Sequence, residues 1–369
     1  MIEGIQRTED RGLRTIDEVS LLESIVATPS TSHNERAAVE TLVDWMRSHG
    51  AESFIDPVGN AVGVFGTGTR QIVLLGHIDT VGGFPQVRRE GNLLYGRGTV
   101  DAKGPLCAFA AAAASAQIPD GWSVVVVGAV EEECPTSAGA HHAVTQFLPE
   151  LCVIGEPSRW DRLTLGYKGR LIVDLELTVP LSHSAGRADT AAECAVELWT
   201  RIRAYADAFN EGKERAFDRL DATLSRLNTS DDGLYGYAKL SIGFRLPAGL
   251  VPQTLEAELR ELLNFQSSAG EPNFSSQVGA IAAPRDTRLS RLFRAAIREE
   301  GGTPAFVMKT GTSDMNIAGP AWNCPILAYG PGDSTLDHTP NEHIDLDEYL
   351  RAVRVLRHVI ETLGTSETR

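Results

Sequence analysis

With 369 residues, 42% of them hydrophobic, the chain is too long for one small domain and carries ample apolar material for a sizeable core. Its net charge of −15, from 34 Lys and Arg against 49 Asp and Glu, argues against a general binder of nucleic acid or of anionic membrane surfaces. Five cysteines, at 107, 134, 152, 194 and 324, are odd in number and show no CxxC spacing. Met1 to Asp17 is charged, without the apolar core of a signal peptide, and the apolar runs are too short to span a bilayer; reduced thiols in a cytoplasmic protein are expected.

Residues 1–15 form a polar lead-in. Asp17 is placed to cap a helix carrying Val19, Leu21, Leu22, Ile25 and Val26, and Asn34 to cap a second with Ala38, Val39, Leu42, Val43 and Met46 on one face. Phe54–Ile55 and Ala61–Phe65 read as short strands around an Asp56-Pro57 and Gly59-Asn60 turn. The run Ile72-Val-Leu-Leu-Gly76 is apolar throughout, as a buried parallel strand is, and stops at His77, with Asp79 two residues on. Taken alone, this is either a core strand followed by a polar turn, or a metal ligand and the carboxylate that orients it.

The pattern recurs. Tyr95 to Pro105 is a glycine-rich loop containing Asp101, and Pro105 suits the first turn of an alanine-rich helix over Leu106–Gln117. Ser123–Val130 is a second buried strand, ending in Glu131-Glu132-Glu133. Leu151–Gly155 is a third, ending in Glu156. In a parallel sheet these ends lie on one edge, where ligands bind. Converging carboxylates there repel one another unless a cation neutralises them, so recurrence favours the metal reading.

From about Lys168 the pattern changes. Arg170–Val179 alternates as a half-exposed strand, Thr190–Phe209 is a long helix, and Thr223–Leu227 and Ala238–Leu246 are strands. Pro252–Leu263 is a helix and Phe274–Ala282 a strand. That β-α-β-β-α-β order is ferredoxin-like. The helix Leu289–Glu300, the apolar strand Pro325–Tyr329 and a last helix capped by Asp345 return to the earlier type. The expected fold is α/β: a mostly parallel sheet flanked by helices in a domain of residues 1–166 and 285–369, with a ferredoxin-like α+β domain inserted at 167–284.

Gly76-His77-Ile78-Asp79, Gly98 to Gly104 with Asp101, Glu131-Glu132-Glu133, Gly155-Glu156-Pro157 and Asp337-His338-Thr339, in this order, resemble the M20 family of dinuclear metallohydrolases. The resemblance runs nearly the whole length and includes the inserted domain. It implies a zinc-peptidase-like catalytic domain, a lid that also dimerises, and two divalent ions per subunit, zinc first and cobalt or manganese after it. His77 and Glu156 would bind one ion, Glu133 and His338 the other, and Asp101 both. Asp79 would hydrogen-bond the His77 ring, and Glu132 would be the general base. Three adjacent glutamates leave that register open by one residue.

The resemblance also implies that His183, in the inserted domain, reaches an active site, often the partner subunit's, that Arg245 binds a substrate carboxylate, and that Lys309, Thr310, Gly311 and Thr312 form a loop near the substrate. On residues alone these could be an exposed loop histidine, a solvated strand arginine and a simple turn. His33, His49, His141, His142, His343, His358 and the cysteines read as structural.

Within the family, Leu165-Gly-Tyr-Lys-Gly-Arg-Leu171, the motif around His183 and the Lys309 to Asn316 segment resemble the hydrolases that release lysine or ornithine from an acidic amino-group carrier protein. There, an amide joins the carrier's C-terminal glutamate side chain to the α-amine of the amino acid. Binding an acidic carrier calls for a basic patch, with Arg88-Arg89, Lys168 with Arg170, and Arg285, Arg288 and Arg291 as candidates. The alternatives are acetylornithine deacetylase, succinyl-diaminopimelate desuccinylase, a short-peptide aminopeptidase, and a binding relative without catalysis, which metal content would single out.

Overall fold

Two amphipathic helices, α1 (Glu18–Ala27) and α2 (Arg36–Ser48), open the described part of the chain. Their apolar positions recur every three or four residues and bury one face of each, from Leu21 to Val26 and from Ala38 to Met46. The computed structural model describes residues 18–183, 186, 188–263 and 270–365. The expected lead-in, the Asp17 cap and the last four residues lie outside them.

The chain continues through β1 (Glu52–Ile55), β2 (Ala61–Phe65), β3 (Arg70–His77), β4 (Arg88–Glu90), β5 (Leu93–Tyr95), α3 (Lys103–Ser115), β6 (Trp122–Ala129), α4 (Ala138–Gln146), β7 (Leu151–Gly155) and β8 (Arg162–Tyr167). A second layer follows: β9 (Gly169–Pro180), α5 (Ala191–Phe209), β10 (Asp221–Asp231), β11 (Tyr235–Leu246), α6 (Pro252–Leu263) and β12 (Asn273–Val278). The return runs through β13 (Ile281–Ala282), α7 (Arg288–Glu299), β14 (Ala305–Lys309), α8 (Met315–Trp322), β15 (Ile326–Ala328), β16 (His343–Asp345) and α9 (Leu346–Glu361).

The large sheet has the order β1-β2-β6-β3-β7-β15-β8-β13, with β14 beside β8. Its centre, β6, β3, β7 and β15, is parallel. Helices α1, α2, α3, α7 and α9 cover one face and α4 and α8 the other, which is why the central strands are apolar on both sides. The alanines of α3 let it lie close to the sheet. A Cβ at Gly155 would stand 2.9 Å from both the Gly76 Cα and the Phe109 ring, so this approach requires glycine.

Register decides where the site falls. His77 pairs with Ala129 of β6, and Gly76 with Gly155 of β7. The residues that follow β6 and β7 therefore emerge beside His77 at one sheet edge.

The second layer is antiparallel, β10-β11-β9-β12. Its strands pack against α5 and α6 around Leu198, Ile202, Leu255 and Leu259. The alternating burial of β9 matches a sheet covered on one face only. Helix α5 opens with a full capping box between Thr190 and Glu193.

Several local expectations shift. Asn34 does not cap α2: Glu35 occupies that position, and the Asn34 amide N–H closes a turn onto the Thr31 carbonyl. Helix α3 starts at Lys103, not Leu106, which keeps Pro105 within the first turn, where a missing N–H removes no helix bond. The expected strand Phe274–Ala282 is two pieces: β12 pairs with β9, whereas β13 joins β8 of the large sheet. Strands β8 and β14 and helix α8 were not foreseen; Gly166 interrupts the first, and Gly319 and Pro320 disguise the last. No helix of the described residues is long and apolar enough to cross a membrane.

Candidate active site

A cavity of about 680 Å³ opens at the carboxyl edge of the parallel strands. Asp101, Glu132, Glu133, Glu156 and His338 line it. His77 stands at the end of β3, buried beneath them.

Asp101 lies between two imidazoles. Its Oδ1 is 3.3 Å from His77 Nε2, and its Oδ2 is 2.9 Å from His338 Nε2. His338 Nε2 is also 3.0 Å from Glu133 Oε1. Ligand atoms of His77, Asp101 and Glu133 all lie within 4.8 Å of one another. Of the three consecutive glutamates, Glu132 and Glu133 face the cavity, whereas Glu131 turns to His33, 3.1 Å away. Glu131 and His338 both adopt left-handed backbone, φ 64 and 61. Such conformations are uncommon for non-glycine residues and gather at functional sites.

The protonation pattern is that of a site short of positive charge. Burial, reinforced by neighbouring carboxylates, pushes the carboxyls of Glu132 and Glu156 well up. Burial also lifts Asp314 to about 7, helped by Asp79, and Asp337 to about 8, helped by Asp101. Burial opposes a charged His77, yet hydrogen bonds to Asp101 and Asp79 outweigh it and hold the ring's proton well above the usual range. Hydrogen bonds to Asp101 and Glu133 lift His338 to about 10. A divalent cation among these groups would neutralise the carboxylates and displace the imidazole protons, and the nitrogen and oxygen donor set is one that such ions accept. The residues therefore fit a metal centre.

A pH dependence follows. Without metal, hydrogen bonds to carboxylates make both imidazoles hold their protons more tightly than a free imidazole does, and those protons must leave before either ring can bind an ion. Cation affinity should therefore rise with pH through the neutral range, by about tenfold per pH unit for each proton displaced. Calorimetric titration in buffers of different protonation enthalpy checks this; an affinity independent of pH and of buffer would contradict it.

Asp79 is fully buried and does more than orient His77. The ring Nδ1 lies 3.0 Å from the Asp79 main-chain oxygen and 3.4 Å from its Oδ1, so the carbonyl is the nearer acceptor. The carboxylate accepts from the backbone N–H of Glu132 at 3.1 Å and of Glu133 at 3.0 Å, and from the Ser32 hydroxyl at 2.8 Å. Burial opposes its charge, but His77, with Ser32 and the Glu133 amide, holds the carboxyl below the usual range. Asp79 thus fixes the turn carrying Glu132 and Glu133. If His77 binds an ion, Asp79→Ala should lower metal affinity or turnover by about 10- to 100-fold, the usual effect of losing the partner behind a metal-binding imidazole. Metal titration and steady-state assays check it; if neither changes, the assignment fails.

Sequence reasoning missed Glu342, a wholly buried carboxylate that accepts from the backbone N–H groups of Gly98, Val100 and Asp101. Nothing in its local sequence, a polar turn after Thr339-Pro340, marks it. Gly98 belongs to the same loop and sits at φ +87, where glycine is favoured.

The remaining candidates fall as follows. Lys309, Thr310, Gly311 and Thr312 line the cavity, as does Arg245, whose Nη1 donates to Thr312 Oγ1 at 3.2 Å. The Lys309 ammonium donates to the Pro157 carbonyl. His183 is exposed on the loop after β9 and is not part of the cavity wall; Ser184 and Ala185 of its motif lie outside the described residues. His49 stacks on Trp45, His343 lies against Tyr95, and His358 pairs with Glu299. The basic-patch candidates are largely committed elsewhere. Lys168 is buried and paired with Asp221, Arg88 pairs with Glu90, Arg89 with Glu23, and Arg291 with Asp286. Arg170, however, lines the cavity.

A central parallel sheet whose carboxyl edge gathers imidazoles and carboxylates, beneath a ferredoxin-like layer, defines a metal-dependent hydrolase. The chain belongs to Peptidase family M20/M25/M40, whose sequence pattern matches residues 73–362. It is 45% identical over 350 residues to a LysW-lysine hydrolase of Deinococcus radiodurans, covering 93% of this chain and 96% of that protein. It is 28% identical over 297 residues to a LysW-lysine/LysW-ornithine hydrolase of Sulfurisphaera tokodaii, covering 80% and 82%. Among solved structures it is similar to the Bacillus subtilis YXEP protein, a dinuclear metal-binding peptidase of the M20 family. The TM-score is 0.69 at 11% identity, over 94% of this chain and 97% of that one, a likeness of fold.

Proposed function

We propose that this protein hydrolyses the amide joining the side chain of a carrier protein's C-terminal glutamate to the α-amine of lysine or ornithine. The product is free lysine or ornithine, released from the carrier in lysine or arginine biosynthesis. The relatives named above support the reading, and one feature of the cavity carries it furthest. Arg170 on β9 and Arg245 on β11 are directly opposite each other in the ladder, and both line the cavity. Like charges opposite one another are destabilising unless something anionic joins them. The Arg170 Nε is buried with no hydrogen-bond partner among the described residues. Burial, then the charge of Arg170, lower the pKa of Arg245. The proposed substrate carries a free carboxylate on each side of its amide, one from the terminal glutamate and one from the amino acid. Two guanidinium groups suit two carboxylates.

His77 and Glu156 would hold one ion and Glu133 and His338 the other, with Asp101 shared between them, zinc preferred and cobalt next. Ions held there supply polarisation of the amide carbonyl and activation of water. Glu132 takes the proton from the attacking water and delivers it to the leaving nitrogen as the carbon–nitrogen bond breaks, leaving a carboxylate and a free amine. We take residues 167–284 as a lid and dimerisation unit over a catalytic unit of 1–166 and 285–369. His183, which is exposed, would serve a partner's cavity in a homodimer. The five free thiols suit a cytoplasmic enzyme.

The test is purified protein, loaded with zinc or with cobalt, given carrier-linked lysine, carrier-linked ornithine and acetylornithine. Turnover of the carrier-linked substrates supports the reading; turnover of acetylornithine alone refutes it. Arg245→Ala should raise KM for the carrier-linked substrate about 10- to 100-fold with a smaller effect on kcat, the loss of about 1.5–3 kcal/mol from charged hydrogen bonds. A KM left unchanged would remove Arg245 from substrate binding.

A further inference from the structure

On the outer side of the turn that carries Glu132 and Glu133, three side chains of different chemistry converge. His33 Nδ1 is 3.1 Å from Glu131 Oε1. The Cys134 thiol is 4.0 Å from Glu131 Oε2. One ligand atom from each of His33, Glu131 and Cys134 lies within 4.8 Å of the other two, the spacing of donors around a single ion. None of the three belongs to the set assigned to the paired centre. His33 comes from the turn before α2, and Glu131 and Cys134 from the turn after β6, so the fold brings them together from distant parts of the chain.

The donors are an imidazole, a carboxylate and a thiol, the combination that selects zinc and its neighbours over magnesium or calcium. Three protein donors leave a position for water. The hydroxyl of Thr136 donates to Glu131 Oε2 and lies 2.9 Å from the Cys134 sulfur, so it touches two of the three donors. The site is reachable: the His33 side chain is 63% exposed and that of Glu131 20%.

We propose that His33, Glu131 and Cys134 form a separate binding site for one zinc-class divalent cation. It is distinct from the paired centre in having a thiolate ligand, and it brackets the two residues that the paired centre uses on this turn.

That difference makes the test specific. Chelator-stripped full-length protein is titrated with cobalt(II) alone and followed by absorption and by bound metal. An imidazole and carboxylate centre gives no sulfur-to-cobalt charge-transfer band, whereas the proposed site does. Wild type should take up one equivalent beyond the paired centre, with that band rising in step. Cys134→Ser should lose the band and the extra equivalent while keeping the rest of the cobalt spectrum. His33→Ala should weaken the extra equivalent at least about tenfold, since losing a ligand costs no less than losing the partner behind one. Absence of the band in wild type overturns the proposal. So does its persistence in Cys134→Ser, which would assign it to one of the four other cysteines. Neither result depends on which amide the enzyme cleaves.

Discussion

Glu132→Gln should leave the protein folded and metal-loaded while kcat falls about 10²- to 10⁴-fold, the contribution typical of a positioned general base. Glu132 lines the cavity, and its backbone N–H is held by Asp79, so an amide of the same size keeps its place. What glutamine cannot do is accept a proton. Without a cation, burial, then Glu156, Asp314 and Glu133, push the carboxyl of Glu132 well up against the opposing charge of His77. Cations beside it favour the ionised form, which a base requires. The comparison variant is Glu133→Gln, which removes the carboxylate that meets His338 and should lose metal as well as turnover. Near-wild-type kcat for Glu132→Gln overturns the base assignment. Loss of metal from Glu132→Gln, with retention in Glu133→Gln, would shift the register of the glutamate run by one residue.

Residues at strand ends were the legible ones. A run such as Ile72–Leu75 is apolar because helices cover both faces of its strand, and the residue where that coverage stops announces itself, as His77 and Glu156 do. The same logic places Glu132 and Glu133 after β6, although only the fold shows Glu131 turning outward to His33. The family resemblance added roles that spacing alone does not supply.

Groups whose meaning depends on a distant partner were not legible. Ser32 reads as a loop serine until it is seen to bond Asp79, 47 positions away. Arg170 reads as one of many basic residues until the β9–β11 register sets it opposite Arg245. Lys168 illustrates the reverse error. It was a candidate for a carrier-binding patch, but burial against Asp221 removes it from the surface. Charge counted along the chain says nothing about which charges are already matched.

Glu342→Ala should destabilise the metal-free protein by about 3–5 kcal/mol and abolish tight metal binding, because it strips the partner from a buried arginine. Glu342 Oε1 accepts from the N–H groups of Gly98 at 2.9 Å, Val100 at 3.0 Å and Asp101 at 3.2 Å. Its Oε2 takes Arg97 Nη1 at 2.6 Å, and Arg97 in turn donates to the carbonyls of Gly83, Thr339 and His338. One buried pair therefore clips the Asp101 loop to the His338 loop, and with them two of the proposed ligands. Burial pushes the Glu342 carboxyl up, opposed by the amide bonds and by Arg97, so the ionised pair is not in itself a large source of stability. The damage comes from breaking it on one side only. Glu342→Gln separates the two duties. Its amide oxygen can keep the three N–H bonds, but its amide nitrogen faces Arg97 donor to donor. It should thus retain more metal affinity than Glu342→Ala while remaining clearly destabilised. Denaturant unfolding of the stripped proteins, where bound metal cannot mask the difference, gives the comparison. A loss below about 1 kcal/mol in Glu342→Ala would mean that the two loops hold without the pair, and Asp101 would owe its position to the backbone alone.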